Sequence, residues 1–302
     1  MTRTSKTVVF FGTDHFSAVS LNELIDKGFR IAAVVTKPDS KKGRGRQLSK
    51  SLVKEIAEAH HIPVWQPERA SDIVAPLQEL IQEEGAKPVG VLVSYGKIIP
   101  QAVIDLFEPG IVNVHPSLLP QYRGPSPIES AILHGDTETG VSIMQLSKAM
   151  DAGPLYTQTV FNLNDTETAP ELEQKLAELG AQELTIALPK IVSGALQPVP
   201  QADDLASYCA LLKKEDSLLD PTTITAEQAE RRVRAYIAFP KTKATVAGHQ
   251  IVITKAHVSS SASTILDLQC ADGRYLSIDE LVGPSGRGMT AKAFLNGYGS
   301  QA

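Results

Sequence analysis

Cysteine is scarce in this chain: among 302 residues only Cys209 and Cys270 carry a thiol, far apart and without a C-x-x-C pair or a histidine-rich neighbourhood. A disulfide framework and a zinc cluster are thereby excluded, and both cysteines read as small buried hydrophobes. Long apolar runs are also missing. The longest, such as Val8-Val9-Phe10-Phe11, fall far short of the ~20 residues that cross a bilayer. The basic start reaches Gly12 and Asp14 after an apolar run too short for a signal sequence. A cytoplasmic protein with no membrane association is expected.

Several cofactor and nucleophile signatures are absent as well. The stretch FFGTDHFS after the first apolar run holds one glycine where a dinucleotide-binding G-x-G-x-x-G needs three. GVLVSYGK has one residue too many for a phosphate-binding loop and no Ser or Thr after its lysine. No G-x-S-x-G elbow occurs, so a serine hydrolase of that type is not expected.

What is present is a two-part pattern. At 302 residues the chain exceeds the size at which one core keeps growing. Its apolar fraction of 42% and mean hydropathy near zero belong to a soluble globular protein. Segments 7–13, 30–36, 88–96, 110–116 and 140–147 are short, β-branched and nearly continuously apolar, which reads as buried parallel strands. Helical periodicity lies at 16–28 and 50–61, and a long helix is predicted over 170–193 with a capping box from Thr168 to Glu171. Strand alternating with helix predicts an α/β, doubly wound, mostly parallel sheet of Rossmann-like type. After a Pro-rich, acidic stretch the class changes. A helix at 225–237 precedes alternating runs at 242–248, 249–260, 263–273 and 274–283, with a turn at Asp272-Gly273. These predict a small β-barrel, OB-like second domain, giving domains 1–195 and 209–302 with a linker at 196–208.

In doubly wound sheets ligands bind outside the carboxyl ends of the strands. One predicted strand ends there with two polar residues, in GIVNVHPSLLPQYRGPSPI (110–128). On an extended chain Asn113 and His115 project to one face and Val112 and Val114 to the other. A hydrogen-bonded polar pair closing the sheet edge is one reading. The other is chemical: an amide N–H and an imidazole aimed at one oxygen suit the oxyanion of a tetrahedral acyl-transfer intermediate, and the imidazole also suits proton transfer. Asp151 follows the next predicted strand, and its Ala-Gly-Pro turn bends the chain back toward His115, where it would fix the tautomer and take a proton. It could equally serve only to start that turn. No Ser, Cys or Lys is paired with this histidine as a nucleophile, so direct transfer between two bound substrates is expected.

The net charge of −5 conceals a local excess. Residues 36–54 carry Lys37, Lys41, Lys42, Arg44, Arg46, Lys50 and Lys54 against Asp39 alone. Such a segment is either a solvated loop or a contact for phosphates, and Gly43 and Gly45 favour one that folds on its partner. Arg231, Arg232 and Arg234 form a second basic cluster, with the same two readings.

NVHPSLLPQYRGPSPI, with GVSIMQLSKAMDAG about thirty residues later and VLVSYGKIIP before it, resembles the 10-formyltetrahydrofolate-dependent formyltransferases. FFGTDHFS, the basic segment and the second domain narrow the resemblance to the branch that formylates methionyl-tRNA. The resemblance implies Asn113, His115 and Asp151 as the catalytic trio. It implies a folate site with Ser117, Leu118, Leu119 and Pro120, and a pterin pocket lined by Tyr95, Gly96 and Ile98. It further implies tRNA contacts by Lys41, Lys42, Arg44 and Arg46, with 10-formyltetrahydrofolate as co-substrate, initiator methionyl-tRNA as acceptor and no metal. A monomer is expected. Pro116 stands where the family has glycine, and PSPI where it has AAPI. A small amine acceptor such as glycinamide ribonucleotide or an amino sugar, hydrolysis of the formyl folate, and a non-catalytic RNA-binding role are the alternatives. The appended domain and the basic segment favour tRNA over them.

Overall fold

The β-branched runs become strands, with helices between them. In a computed structural model describing residues 6–42 and 47–298, the first elements are β1 (Val8–Phe11), α1 (His15–Asp26), β2 (Ile31–Val35), β3 (Ser40–Lys42), β4 (Gln47–Ser49), α2 (Leu52–Ala59) and β5 (Val64–Trp65). There follow α3 (Val74–Glu84), β6 (Val89–Leu92), α4 (Gln101–Ile104), β7 (Ile111–His115), α5 (Pro127–His134), β8 (Glu138–Gln145), β9 (Leu155–Asn162) and α6 (Ala169–Val192). The last elements are α7 (Ala226–Ala235), β10 (Thr242–Val246), β11 (His249–Ser259), β12 (Asp267–Gln269), β13 (Tyr275–Val282), β14 (Gly288–Thr290) and α8 (Ala291–Tyr298).

The chain packs as two units. One comprises Met1–Arg123, Gly140–Phe161 and Glu173–Tyr208; the other comprises Gly124–Thr139, Asn162–Leu172 and Cys209–Ala302. The first unit holds a sheet of order β5-β2-β1-β6-β7-β8-β9. β1 runs parallel to both β2 and β6, β2 to β5, and β6 to β7. From β1 the chain winds outward to β2 and β5, then returns to β6 on the other side of β1. In open α/β sheets such a reversal marks where ligands bind, outside the carboxyl ends of the central strands.

The run at 140–147, expected as a parallel strand, is antiparallel to its neighbour: His115 pairs with Ser142 and Val112 with Gln145. A continuous apolar run reports burial on both faces and carries no information on direction. β9, α3, α5 and α8 lie outside the elements read from sequence, and part of the basic segment is a hairpin in which Lys41 pairs with Leu48. Val9, Phe11, Tyr95 and Ile111 pack on one face of the sheet with Leu77 and Val103. Strand alternation puts Asn113 and His115 on that same face as Ile111. Val114 faces the other way, toward α6. There Gly180 allows close approach, since an added Cβ would lie 2.8 Å from Val114 Cγ1.

Residues 196–208, expected as a linker, run as a strap along the first unit. Leu155 and Val199 exchange backbone hydrogen bonds at 2.8 Å, and Arg123 forms a parallel bridge with Tyr208.

In the second unit an antiparallel sheet of order β10-β11-β13-β12, with β14 on β13, curls in a barrel-like manner around Ile251, Ile253, Leu276, Leu281 and Phe294. Ala229 and Val233 of α7 complete that core, and α5 packs on α7. The arginines of α7 are committed inside this unit. Arg231 and Arg234 meet Asp165 at 3.0 and 2.8 Å, Arg234 also meets Glu230 at 2.8 Å, and Arg232 donates to the Leu218 carbonyl at 2.7 Å. The hydrogen bond from Arg231 holds the Asp165 carboxyl below its usual range against the effect of burial. Cys270 is buried and Cys209 half-buried. Among the described residues no helix is long and apolar enough to cross a membrane.

Asp267 shows how a turn becomes acid-sensitive. One carboxylate oxygen accepts from the N–H groups of Ser263 and Thr264 at 2.7 and 2.6 Å. Burial pushes its pKa up, but these bonds and one from Ser277 win and bring it to about 2. A depressed carboxyl contributes stability above its unfolded pKa that is lost as pH falls through the folded value. Wild-type protein is therefore expected to lose up to roughly 2 kcal/mol between about pH 4 and pH 2 from this group. Asp267→Ala will be less stable at neutral pH and will show a correspondingly shallower acid dependence in thermal unfolding across that window.

Candidate active site

Both polar residues at the end of β7 are buried, Asn113 and His115 each being 5% exposed. Burying an unpaired amide costs free energy, so buried polar side chains are normally hydrogen-bonded. Asn113 makes no side-chain hydrogen bond among the described residues. Its amide is available to a ligand at the crevice.

His115 is held by its ring. Nε2 lies 3.0 Å from the Tyr122 carbonyl, and a carbonyl only accepts, so Nε2 carries the hydrogen. Nδ1 then faces Asp151, whose carboxylate oxygen is 3.9 Å away. That separation is an ion-pair distance and too long for a hydrogen bond. The tautomer that the sequence assigns to Asp151 is set instead by a backbone carbonyl on the Pro-rich loop. In the ring with its hydrogen on Nε2, Nδ1 is a bare lone pair able to take a proton.

Asp151 arrives by the turn that the Ala-Gly-Pro sequence suggests. Gly153 packs so tightly on the end of β8 that a Cβ there would lie 1.8 Å from the Gln145 carbonyl oxygen. The Gln145 N–H donates to the Pro154 carbonyl at 2.9 Å. The turn residue Asp151 itself has a left-handed φ of 48°.

The loop after His115 is rigid for reasons beyond its prolines. Ser117 is fully buried; its N–H donates back across Pro116 to the His115 carbonyl at 2.9 Å, and its hydroxyl donates to the Gln121 carbonyl at 2.6 Å. Ser142, opposite His115 on β8, donates to the Ser117 carbonyl at 2.6 Å and accepts from the Leu119 N–H at 3.1 Å. Gln158 on β9 donates to the Leu119 carbonyl at 2.7 Å. Leu118 packs against Gly140, and the Leu119–Pro120 peptide is cis. Ser142 is the one of these supports with a sequence signal, a hydroxyl inside an apolar strand. Tyr122 and Gln158 have none.

The loop beyond β6 is less uniform. The Tyr95 ring is withdrawn into the core, edge-on to Phe11 at 5.6 Å, and burial pushes its phenol up to about 12. Ile98 is 88% exposed. Gly96, with φ of 70°, lies under the Lys37 ammonium, which would be 2.5 Å from an added Cβ. Gly96 and Ile98 thus stand at the surface, and Tyr95 does not present its ring there.

In the basic segment Lys54 pairs with Asp39 at 2.7 Å and Lys50 with Glu58 at 2.6 Å. Gln66 donates to Asp39 at 2.8 Å and to the Lys37 carbonyl at 3.0 Å, rooting the hairpin in the first unit. Lys41 and Lys42 belong to β3, while Arg44 and Arg46 lie outside the described residues. Among the described residues no group of three or more His, Cys, Asp or Glu side chains is gathered to hold a metal ion.

The close approach at Gly153 is directly testable. Gly153→Ala is expected to lower stability by about 1–3 kcal/mol through overpacking, read as a lower urea midpoint at unchanged slope. A wild-type midpoint would contradict this packing of the Asp151 turn.

Comparison with known proteins places the chain in a family. Residues 5–188 match the formyl transferase family and residues 211–299 match the formyl transferase C-terminal domain. The methionyl-tRNA formyltransferase of Pelobacter propionicus is 38% identical over 91% of this chain and 85% of its own length. That of Halorhodospira halophila is 38% identical over 96% of both chains. Among solved structures, an N-formyltransferase from Helicobacter canadensis in complex with folinic acid and dTDP-3-aminofucose shares the fold, with a TM-score of 0.68 at 18% identity over 90% of this chain and 98% of that one. The chain belongs to the formyl transferase family, among the methionyl-tRNA formyltransferases.

Proposed function

We propose that this protein transfers the formyl group of 10-formyltetrahydrofolate to the free α-amino group of methionine esterified to initiator tRNA, acting as a cytoplasmic monomer for translation initiation. The observation that carries the reading is the buried, uncommitted amide of Asn113 beside a histidine whose Nδ1 faces a carboxylate. No Ser, Cys or Lys is paired with His115 among the described residues, so in this reading the amine attacks the formyl carbon directly. The new N–C bond forms as the carbonyl oxygen takes negative charge, which Asn113 meets with its N–H. The attacking nitrogen must shed a proton. Nδ1 of His115 can take it, with Asp151 stabilising the imidazolium; the oxyanion then collapses, the bond to N10 breaks, and the imidazolium returns that proton to N10. The bonded loop from Ser117 to Pro120, with Gly96 and Ile98 across the crevice, would hold the folate. Tyr95 supports that wall from the core.

Phosphate attraction gives the basic segment its part. Lys50 and Lys54 are paired with carboxylates; the tRNA contacts in this reading are Lys41, Lys42, Arg44 and Arg46, as the family resemblance implies, with residues 209–302 as a second tRNA-binding domain.

Incubation with 10-formyltetrahydrofolate and charged initiator tRNA, following formyl-methionine and free formate separately, tests the reaction. Formyl-methionyl-tRNA is the expected product; formate alone would replace transfer by hydrolysis. His115→Ala and Asp151→Ala should each lower kcat about 10²–10⁴-fold, and Asn113→Ala about 10²–10³-fold, with circular dichroism unchanged. Turnover near wild type in the His115 or Asp151 variant would sink the assignment.

For the basic segment, Lys42→Ala and Arg44→Ala are expected to weaken tRNA binding and to reduce the slope of log affinity against log salt by about 1 per lost phosphate contact. Unchanged affinity and slope in both would remove the segment from the tRNA interface.

A further inference from the structure

The strap at 199–208 holds both groups that face the ring nitrogens of His115. On the Nε2 side, the Tyr122 N–H donates to Ser207 Oγ at 2.9 Å, and the Arg123 N–H donates to the Ser207 carbonyl at 2.9 Å. On the Nδ1 side, Gln201 Nε2 donates to the carbonyls of Asp151 and Gly153 at 2.8 and 2.7 Å. Gln201 Oε1 in turn accepts from Nε and Nη2 of Arg123 at 3.1 and 2.7 Å. Arg123 is 2% exposed, and its guanidinium also reaches Asp203 at 2.6 Å and the Tyr208 hydroxyl at 3.3 Å. One amide therefore joins the Asp151 turn to the residue that follows Tyr122.

A second observation points the same way. Tyr122 and Asp151 are non-glycine residues with left-handed φ values of 56° and 48°. Such conformations are sparsely populated and persist only where the surroundings over-determine them. At both positions bonds from the strap supply that constraint.

We infer that Gln201 is a positioning residue for formyl transfer: its two N–H bonds set the Asp151 carboxylate against His115, and its effect on the reaction runs through Asp151. The inference rests on the reading of His115 and Asp151 as the transfer site. Binding of either substrate does not require Gln201, whereas alignment in the transition state does, so the signature is a loss of kcat with little change in KM.

Gln201→Glu is the informative variant, because it keeps an oxygen for Arg123 while removing both N–H donors. With its melting temperature near wild type, kcat is expected to fall about 10- to 100-fold, and KM for folate and for tRNA to stay within about threefold. Gln201→Ala should act in the same direction. In an Asp151→Asn background, measured in single turnover at excess enzyme, Gln201→Glu should lower the rate no further, the non-additivity expected of residues that act as one unit. A wild-type protein that fails to formylate charged tRNA would overturn the transfer reading itself. An active wild type with unchanged kcat in Gln201→Glu, or with additive losses in the double variant, would overturn the positioning role alone. Loss of activity only together with the folded state, in the Glu and Ala variants alike, would also overturn it and make the strap purely a fold element.

Discussion

One hydrogen bond, from His115 Nε2–H to the Tyr122 carbonyl, decides what the crevice can do. It places the hydrogen on Nε2, leaves Nδ1 toward Asp151, and keeps the ring on the same strand face as Asn113. A carbonyl can perform this only if the loop bearing it does not move. The bonds of Ser117, Ser142 and Gln158 supply that rigidity, so the stiffness of the segment after β7 is a condition of the site's chemistry. Pro116 fits the same scheme, because the Ser117 N–H closes back onto the His115 carbonyl across it.

Ion pairs take up charge in both basic clusters. In the second unit, Arg231 and Arg234 converge on Asp165 and are internal staples. In the basic segment, the carboxylates of Glu58 and Asp39 neutralise Lys50 and Lys54 beside the hairpin. A cluster of cations in a sequence has the same appearance in both cases. Only the position of the carboxylates shows which cations are staples, and Asp165 lies 66 residues before Arg231.

Much of the fold was legible because it is local. Apolar runs with β-branched residues mark buried strands wherever they lie, and the alternation beyond residue 240 marks a sheet with one covered face. The polar pair at the end of β7 was legible from the same alternation, which fixes the side toward which Asn113 and His115 point. The turn at Ala152-Gly153-Pro154 was legible as a bend. Its necessity for glycine came only from the Gln145 carbonyl beneath it. The Tyr95 ring shows the opposite outcome. The family resemblance implies a pocket wall there, and the ring itself packs against Phe11 in the core.

By itself the sequence determined which residues share a strand face, where chemistry-bearing side chains end a strand, and where the class of structure changes along the chain. These follow from backbone periodicity, which every residue carries. The tertiary structure alone decided the direction of β8, the tautomer of His115, and the bonding of residues 196–208 along the first unit. It also brought Gln201 to the Asp151 turn. Each of these depends on which hydrogen-bonding groups from separate segments meet, and a donor and an acceptor far apart in sequence leave no periodic trace of their pairing.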